Sequence, residues 1–306
     1  MLKYTLKRIL QVIPVLIIVS FIVFMLVRLM PGDPVRTLLG EDASIETVEA
    51  VRHELGLDQP ALKQYFVWLT DLFHGELGKS FSYKLPVETL ISERMVPTLI
   101  LAVGAIVVSV VLGIIFGMIS AVKHNHFVDY LISMIAMVAI STPGFFFAML
   151  MVLLFSIHLG WLPSFGLNSP KHYILPILTL GFQQIGMMTR MTRSSMMDVL
   201  DQDYIRTSKA SGVPNRVIIF KNSFKNTLIP LTTIIALRFG GLLAGAALTE
   251  KVFAIHGMGS LLVDAVSYRD YPVIQATILV FSIIFIGVTL VADILYGLFD
   301  PRVSVK

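Results

Sequence analysis

The chain has 306 residues, 56% of them hydrophobic and 14% charged, with a mean hydropathy of +0.81. Soluble domains hold nearer to about a quarter of their residues as Asp, Glu, Lys and Arg, so the long apolar runs exclude an ordinary soluble protein of one or two domains. The formal net charge of +4 is too small to argue for nucleic acid, and the lack of cysteine excludes disulfides, thiolate chemistry and Cys-based metal sites.

Lys3, Lys7 and Arg8 precede an apolar run from Ile9 to Leu26. The run is longer than the apolar core of a signal peptide and no small-residue cleavage site follows, so it predicts an uncleaved first transmembrane helix. Six segments approach the roughly 20 apolar residues that a helix needs to cross a bilayer. They are Ile9 to Leu29, Thr98 to Val122, Val128 to Ile157, Tyr173 to Met188, Leu228 to Leu248 and Val273 to Phe299. Pro143 is expected to kink the third. The fourth is the weakest, being short and holding Pro176, Gln183 and Gln184.

Residues 31–95, after the first span, differ in composition and predict a small helical extracytoplasmic cap. Ser44 can cap a helix that runs to Leu55, and Gly56 is placed to end it. Pro60 suits the start of a second helix through Phe73, with Leu62, Phe66, Leu69 and Phe73 on its apolar face. Pro86 opens a third helix, Val87 to Met95. The chain thus divides into an N-terminal span (1–30), the cap (31–95) and a five-helix transmembrane domain (96–306).

Charge placement predicts the topology. Basic residues gather in two places, the short loop from Lys123 to Phe127 and the stretch 190–227, which holds Arg190, Arg193, Arg206, Lys209, Arg216, Lys221 and Lys225. Arg302 and Lys306 add to them. Such a bias marks the cytoplasmic side, and with six spans it puts both termini there.

Within the basic stretch, Asp198 to Asn226 reads as a helix–turn–helix. The first helix passes through Tyr204 and Ser208 and stops at Gly212, where a left-handed residue costs glycine little. Pro214 opens the second, Asn215 to Phe224. The apolar residues Val199, Leu200, Tyr204 and Ile205 could fill a groove on a soluble partner; the competing reading is a basic helix lying on anionic lipid.

Arg206, Thr207, Ser208, Ala210 and Gly212, followed by Ile229-Pro230, resemble the EAA loop of ABC importer permeases. Glu-Ala-Ala itself is absent, with Arg206-Thr207-Ser208 in its place. The interval from Gly212 to Pro230 is longer than in sugar and amino-acid permeases. Both departures match the dipeptide/oligopeptide/nickel branch, in its first-permease type. Further stretches agree: Pro31-Gly32-Asp33-Pro34, Leu55 to Pro60, Gly75 to Gly78, Gly160 to Pro163, Arg190 to Ser195, Glu250 to Phe253 and Arg269 to Ala276. One departure is Ala254-Ile255-His256-Gly257, where the family usually has an aromatic residue and a proline.

This resemblance implies a multi-pass permease of the bacterial inner membrane. It would work with a homologous second permease, two ATPase subunits and an extracytoplasmic substrate-binding protein. Leu200, Tyr204, Ile205, Arg206, Ser208, Ala210 and Gly212 would form a coupling helix seated in an ATPase, between the fourth and fifth spans. ATP and Mg would belong to the ATPases, leaving this chain no cofactor, metal or catalytic residue; it has no GxxxxGK[ST] loop, which agrees. The cargo would be a dipeptide or oligopeptide, with glutathione or a nickel or other metal chelate as alternatives.

Arg238 and Asp293 are ionisable groups at membrane depth, and such groups face a cavity or a partner. With Gln183 and Gln184 they are the candidates for the translocation path; the structural alternative is an Arg238–Asp293 ion pair. Gly113 and Gly117 have a close-packing spacing, read first as packing within the chain. Two other classes compete. An intramembrane enzyme would need paired intramembrane Asp or HExxH, and neither occurs. A secondary transporter would show repeated halves with broken helices.

Overall fold

The computed structural model describes residues 2–40 and 42–299. Expectations that rest on Arg302 and Lys306 lie outside them, as do the side chains of Lys3, Lys7, Ile229 and Pro230. The elements are α1 (Leu2–Arg28), α2 (Pro34–Leu39), α3 (Ile45–Glu54), α4 (Ala61–Phe73), α5 (Val87–Val122), α6 (Phe127–Ser141), α7 (Gly144–Met151), α8 (Ile174–Leu200), α9 (Asp203–Ala210), α10 (Asn215–Val217), α11 (Phe224–Val252), α12 (Met258–Ser267) and α13 (Tyr271–Phe299). Wider π-type turns follow α7 at Val152–His158 and join α10 to α11 at Ile218–Ser223.

Among the described residues, three stretches are long and apolar enough to cross a membrane alone: Arg8–Arg28, Val87–Val122 and Tyr271–Ile294. The pair Phe127–Ser141 and Gly144–His158 becomes a fourth if it is one bent span. Here the expected kink is a full break of 105°. Proline lacks the N–H that would continue α6 and pushes the preceding residue out of helical geometry, and Thr142 accordingly has ψ 124°. The expected fourth and fifth spans lie in α8 and α11, which are long but more polar. The reason is packing: α8 lies against α6, α7 and α11, so protein rather than lipid meets much of its surface.

The chain forms two compact units. One is built from Leu6–Thr98 and His256–Ile286. Its core joins Val27, Leu90, Ile91, Met258, Leu261, Tyr271 and Ile274. Ser44 caps α3 by accepting from the Thr47 N–H (3.2 Å), and Gly56 follows its end, as expected. The apolar face expected for α4 is not the side that packs against the protein. Leu62, Phe66 and Phe73 are exposed and Leu69 is half-buried, whereas Tyr65 is buried against Phe21 and Phe24 of α1, with ring centroids 5.2 and 5.3 Å away. Trp68 lies 5.6 Å from Phe24, and the Tyr65 and Ser20 hydroxyls share a 3.0 Å hydrogen bond. The predicted third cap helix is likewise not separate. It is the first part of α5, which runs on through Pro97. The sequence reading also missed α12, whose Met258, Leu261 and Ala265 are buried.

The other unit is built mainly from Leu99–Ile255. Leu101, Ala148, Leu175, Phe253 and Ile255 form its core, so the atypical Ile255 fills an interior position. Gly113 and Gly117 do serve packing within the chain. A Cβ on Gly117 would meet the Thr189 carbonyl oxygen at 2.7 Å, so the backbones of α5 and α8 approach closely there. Gly117→Val is therefore expected to cost about 1–3 kcal/mol by overpacking, read as a lower unfolding temperature of the solubilised protein.

Candidate functional site

α8 runs past its buried half to Leu200, and after Asp201-Gln202 the short helix α9 begins. Its end is closed by two backbone bonds, Gly212 N–H to the Lys209 carbonyl (3.1 Å) and Val213 N–H to the Ser208 carbonyl (3.1 Å). That pattern requires a left-handed residue at position 212, and Gly212 has φ +75°. Pro214 then starts the return. The second arm is not the free helix expected over Asn215 to Phe224. It continues through the wide turn at Ile218–Ser223 into α11, since nothing between them breaks the helix.

The seven residues expected to form the coupling surface divide into two groups. Ile205 is fully buried, and α9 packs against the wide turn Ile218–Ser223. It therefore anchors α9 to its own chain. Leu200 and Ser208 are half-buried, and the Ser208 hydroxyl donates to the Tyr204 carbonyl (2.8 Å). Tyr204, Arg206, Ala210 and Gly212 are exposed. The Tyr204 hydroxyl accepts from the Asn226 amide (2.8 Å), which ties α9 to the root of α11. Arg206 stands 3.9 Å from Asp201 and 3.8 Å from Asp203, contacts too long and exposed to fix it. The face that α9 presents is thus small, polar and basic, with one aromatic ring.

A second anchor was not singled out from the sequence. The Asp129 carboxylate, 2% exposed, accepts two bonds from Arg193 of α8, from Nε and Nη2, each at 2.7 Å. It also accepts from the Ser120 hydroxyl (2.5 Å) and the Asn125 N–H (3.1 Å), and His124 Nδ1 stands 3.0 Å from Arg193 Nη2. The fork of Arg193 matches both carboxylate oxygens. Hydrogen bonding to Asp129 raises the Arg193 pKa, so the guanidinium stays charged. The clamp holds the short basic loop and the start of segment 190–227 together. A buried acid at the edge of an apolar helix was the available signal.

Of the four path candidates, two come to one strip of α8. Arg238, half-buried on α11, directs Nη2 to the Met187 sulfur at 3.3 Å. Gln183, one turn before Met187, donates its amide to the Thr142 carbonyl (2.8 Å) at the break between α6 and α7. Gln184 is half-buried, with a buried Oε1 that lacks a partner, and Asp293 is half-buried on α13.

The described residues thus combine helices of membrane length with a short basic helix that ends in a turn at Gly212 and Pro214, an arrangement that suits a membrane transport protein. The chain belongs to the family of binding-protein-dependent transport system inner membrane components, whose sequence profile matches residues 113–305; residues 1–102 match the N-terminal profile of the same systems. It is a permease subunit of an ABC importer and a multi-pass protein of the bacterial inner membrane. That excludes the secondary-transporter and intramembrane-enzyme readings. The chain is 45% identical over all 306 residues to the glutathione transport system permease protein GsiC of Escherichia coli K12, covering 100% of both chains. It is 44% identical, with the same coverage, to the GsiC of Salmonella paratyphi A. Its fold resembles a chain of the inward-facing MetNI methionine ABC transporter, with a TM-score of 0.60 at 17% identity, over 70% of this chain and 97% of that one.

Proposed function

We propose that this permease pairs with a homologous second permease to conduct small peptides delivered by an extracytoplasmic substrate-binding protein. Glutathione, itself a small peptide, is the cargo that the relatives' name favours. Two ATPase subunits hydrolyse ATP with Mg, and this chain supplies no catalytic group or cofactor site. The observation that carries this reading is full-length similarity to permeases named for glutathione transport. The exposed side of α9 supports a role in coupling. Its polar and basic face suits a groove on a folded partner, while Ile205 and the Asp129–Arg193 clamp transmit its position to α8.

Uptake by the importer, reconstituted in liposomes with its partner subunits and binding protein, tests the cargo. ATP-dependent uptake of labelled glutathione or a dipeptide is expected. Uptake of a nickel chelate alone would overturn the peptide reading.

The proposal includes six spans with both termini in the cytoplasm. The chain lacks cysteine, so single-cysteine variants can be labelled with a membrane-impermeant thiol reagent. Ser44→Cys and Ser267→Cys should react from outside, whereas Ser208→Cys and Ser304→Cys should react only once the membrane is opened. Outside labelling at position 304 would exclude this topology.

Arg238 serves the path as a weak, transient partner for the carboxylate of the passing peptide, since a guanidinium stays charged and binds carboxylates in a forked geometry. Its sulfur contact with Met187 is easily exchanged. Arg238→Gln should lower uptake by about three- to tenfold, the loss of roughly 1 kcal/mol, with assembly and unfolding temperature unchanged. Unchanged uptake would remove Arg238 from the path.

A further inference from the structure

One cavity, wholly within the unit built from Leu6–Thr98 and His256–Ile286, plays no part in the function argued above. It has a volume of about 340 Å³ and is lined by the end of α1 (Phe24, Arg28), by α4 (Gln64, Trp68, Asp71) and by residues of the following turn and α13, among them Lys79, Tyr271 and Gln275. Its wall is largely apolar, and among its polar side chains the donors Arg28, Lys79, Trp68, Gln64 and Gln275 face a single carboxylate, Asp71. The Arg28 guanidinium stacks 3.4 Å from the Phe24 ring centre and donates to the Phe24 carbonyl (3.3 Å) and to Gln64 Oε1. No carboxylate pairs with it among the described residues. Gln275 is only 4% exposed, and its Nε2 has no hydrogen-bond partner; the buried Trp68 Nε1 has none either. Buried N–H groups left unpaired cost about 1–3 kcal/mol each, so two of them beside an uncompensated arginine mark a place for an acceptor. Asp71 is the one acidic residue in the lining, set against Arg28 and Lys79.

Depth in the membrane says where such an acceptor comes from. Arg28 ends the apolar stretch Arg8–Arg28, which puts the guanidinium at the level of the lipid headgroups. The Tyr65–Ser20 bond lies eight residues earlier in α1, or about 12 Å deeper at 1.5 Å per residue. α4 is therefore partly sunk into the leaflet, and its exposed Leu62, Phe66 and Val67 turn towards acyl chains. Val67 also lines the cavity, so this apolar surface is continuous with the wall that carries Arg28 and Lys79.

We infer that this cavity is a phosphate-binding site for the headgroup of an anionic phospholipid, whose phosphate is held by Arg28, Lys79, Trp68 and Gln275 while an acyl chain runs along Leu62, Phe66 and Val67. The site fixes α4 against α1 and α13. The free phosphate ion has the same chemistry without the chain.

The test uses the complete importer, delipidated in detergent and titrated with phosphatidylglycerol, phosphatidylcholine or inorganic phosphate while thermal unfolding and retained lipid are followed. Phosphatidylglycerol should raise the unfolding temperature at concentrations about tenfold below those for phosphatidylcholine, from the one or two basic groups involved. Gln275→Glu keeps the side-chain length but puts a carboxylate in the wall, and should abolish that preference. Arg28→Gln should do the same, and Trp68→Phe, which removes only the N–H, should weaken it several-fold. Equal protection by inorganic phosphate would assign the site to the free ion, whereas protection by phosphatidylglycerol alone assigns it to lipid. Equal response to both lipids with none to phosphate would overturn the inference. So would an unaltered preference in a folded Gln275→Glu importer.

Discussion

A Gly212→Val permease should insert and assemble at normal levels yet lose substrate-stimulated ATP hydrolysis and uptake. Gly212 has φ +75°, and nothing lies within 4 Å of where a Cβ would stand. The defect is therefore conformational rather than a clash with neighbours. A β-branched residue at positive φ is a steric outlier that costs about 1–3 kcal/mol. That strain is relieved most easily by undoing the two bonds that close α9, from Gly212 to Lys209 and from Val213 to Ser208. α9 is exposed apart from the buried Ile205 and the half-buried Ser208 and contributes little to global stability, so the protein survives while the helix shifts. Gly212→Asn is the informative companion, because asparagine tolerates the left-handed region and should retain most of the uptake. Both variants can be compared in proteoliposomes with substrate-loaded binding protein. Normal uptake by Gly212→Val would mean that this turn does not set the coupling geometry.

The second large effect is on stability. Arg193→Met should destabilise the permease by about 3–5 kcal/mol, because it leaves the Asp129 charge buried without its partner. Asp129→Asn should cost less, since the Arg193 side chain is 27% exposed and can turn towards water. Removing both charges with Asp129→Leu and Arg193→Met should recover much of the loss, as buried ion pairs replaced by apolar groups of similar volume often do. Unfolding temperatures of the solubilised importer give the cycle. A double variant no more stable than Arg193→Met would show that the clamp is not the source of the effect. The clamp also links the loop before α6 to the basic segment 190–227, for which we propose the coupling role, so Arg193→Met should lower uptake more than expression.

Local backbone chemistry made much of this protein legible in its sequence. Ser44 caps α3, Gly212 ends α9 and Pro143 breaks the helix because each effect depends on a residue and its immediate neighbours. The turn from α9 through Gly212 to Pro214 belongs to the same class, since its residues are close in sequence. So does the membrane assignment, which needs only the length and hydropathy of the runs.

Tertiary structure alone decided which faces meet. In α4 the two sides are both apolar, so the stripe of Leu62, Phe66 and Phe73 was as plausible an inner face as Tyr65 and Trp68. The choice was made by the aromatic rings of α1 and the Ser20 hydroxyl, more than 40 residues away in sequence. Polar helices pose the same problem: α8 packs against α6, α7 and α11, and its Gln183 and Gln184 are half-buried there. Asp129 and Arg193 lie 64 residues apart, and neither residue type nor spacing pairs them. Hydrophobicity tells a chain what to hide from water; inside a membrane that pressure is lost, and which side chain touches which is left to shape and hydrogen bonding.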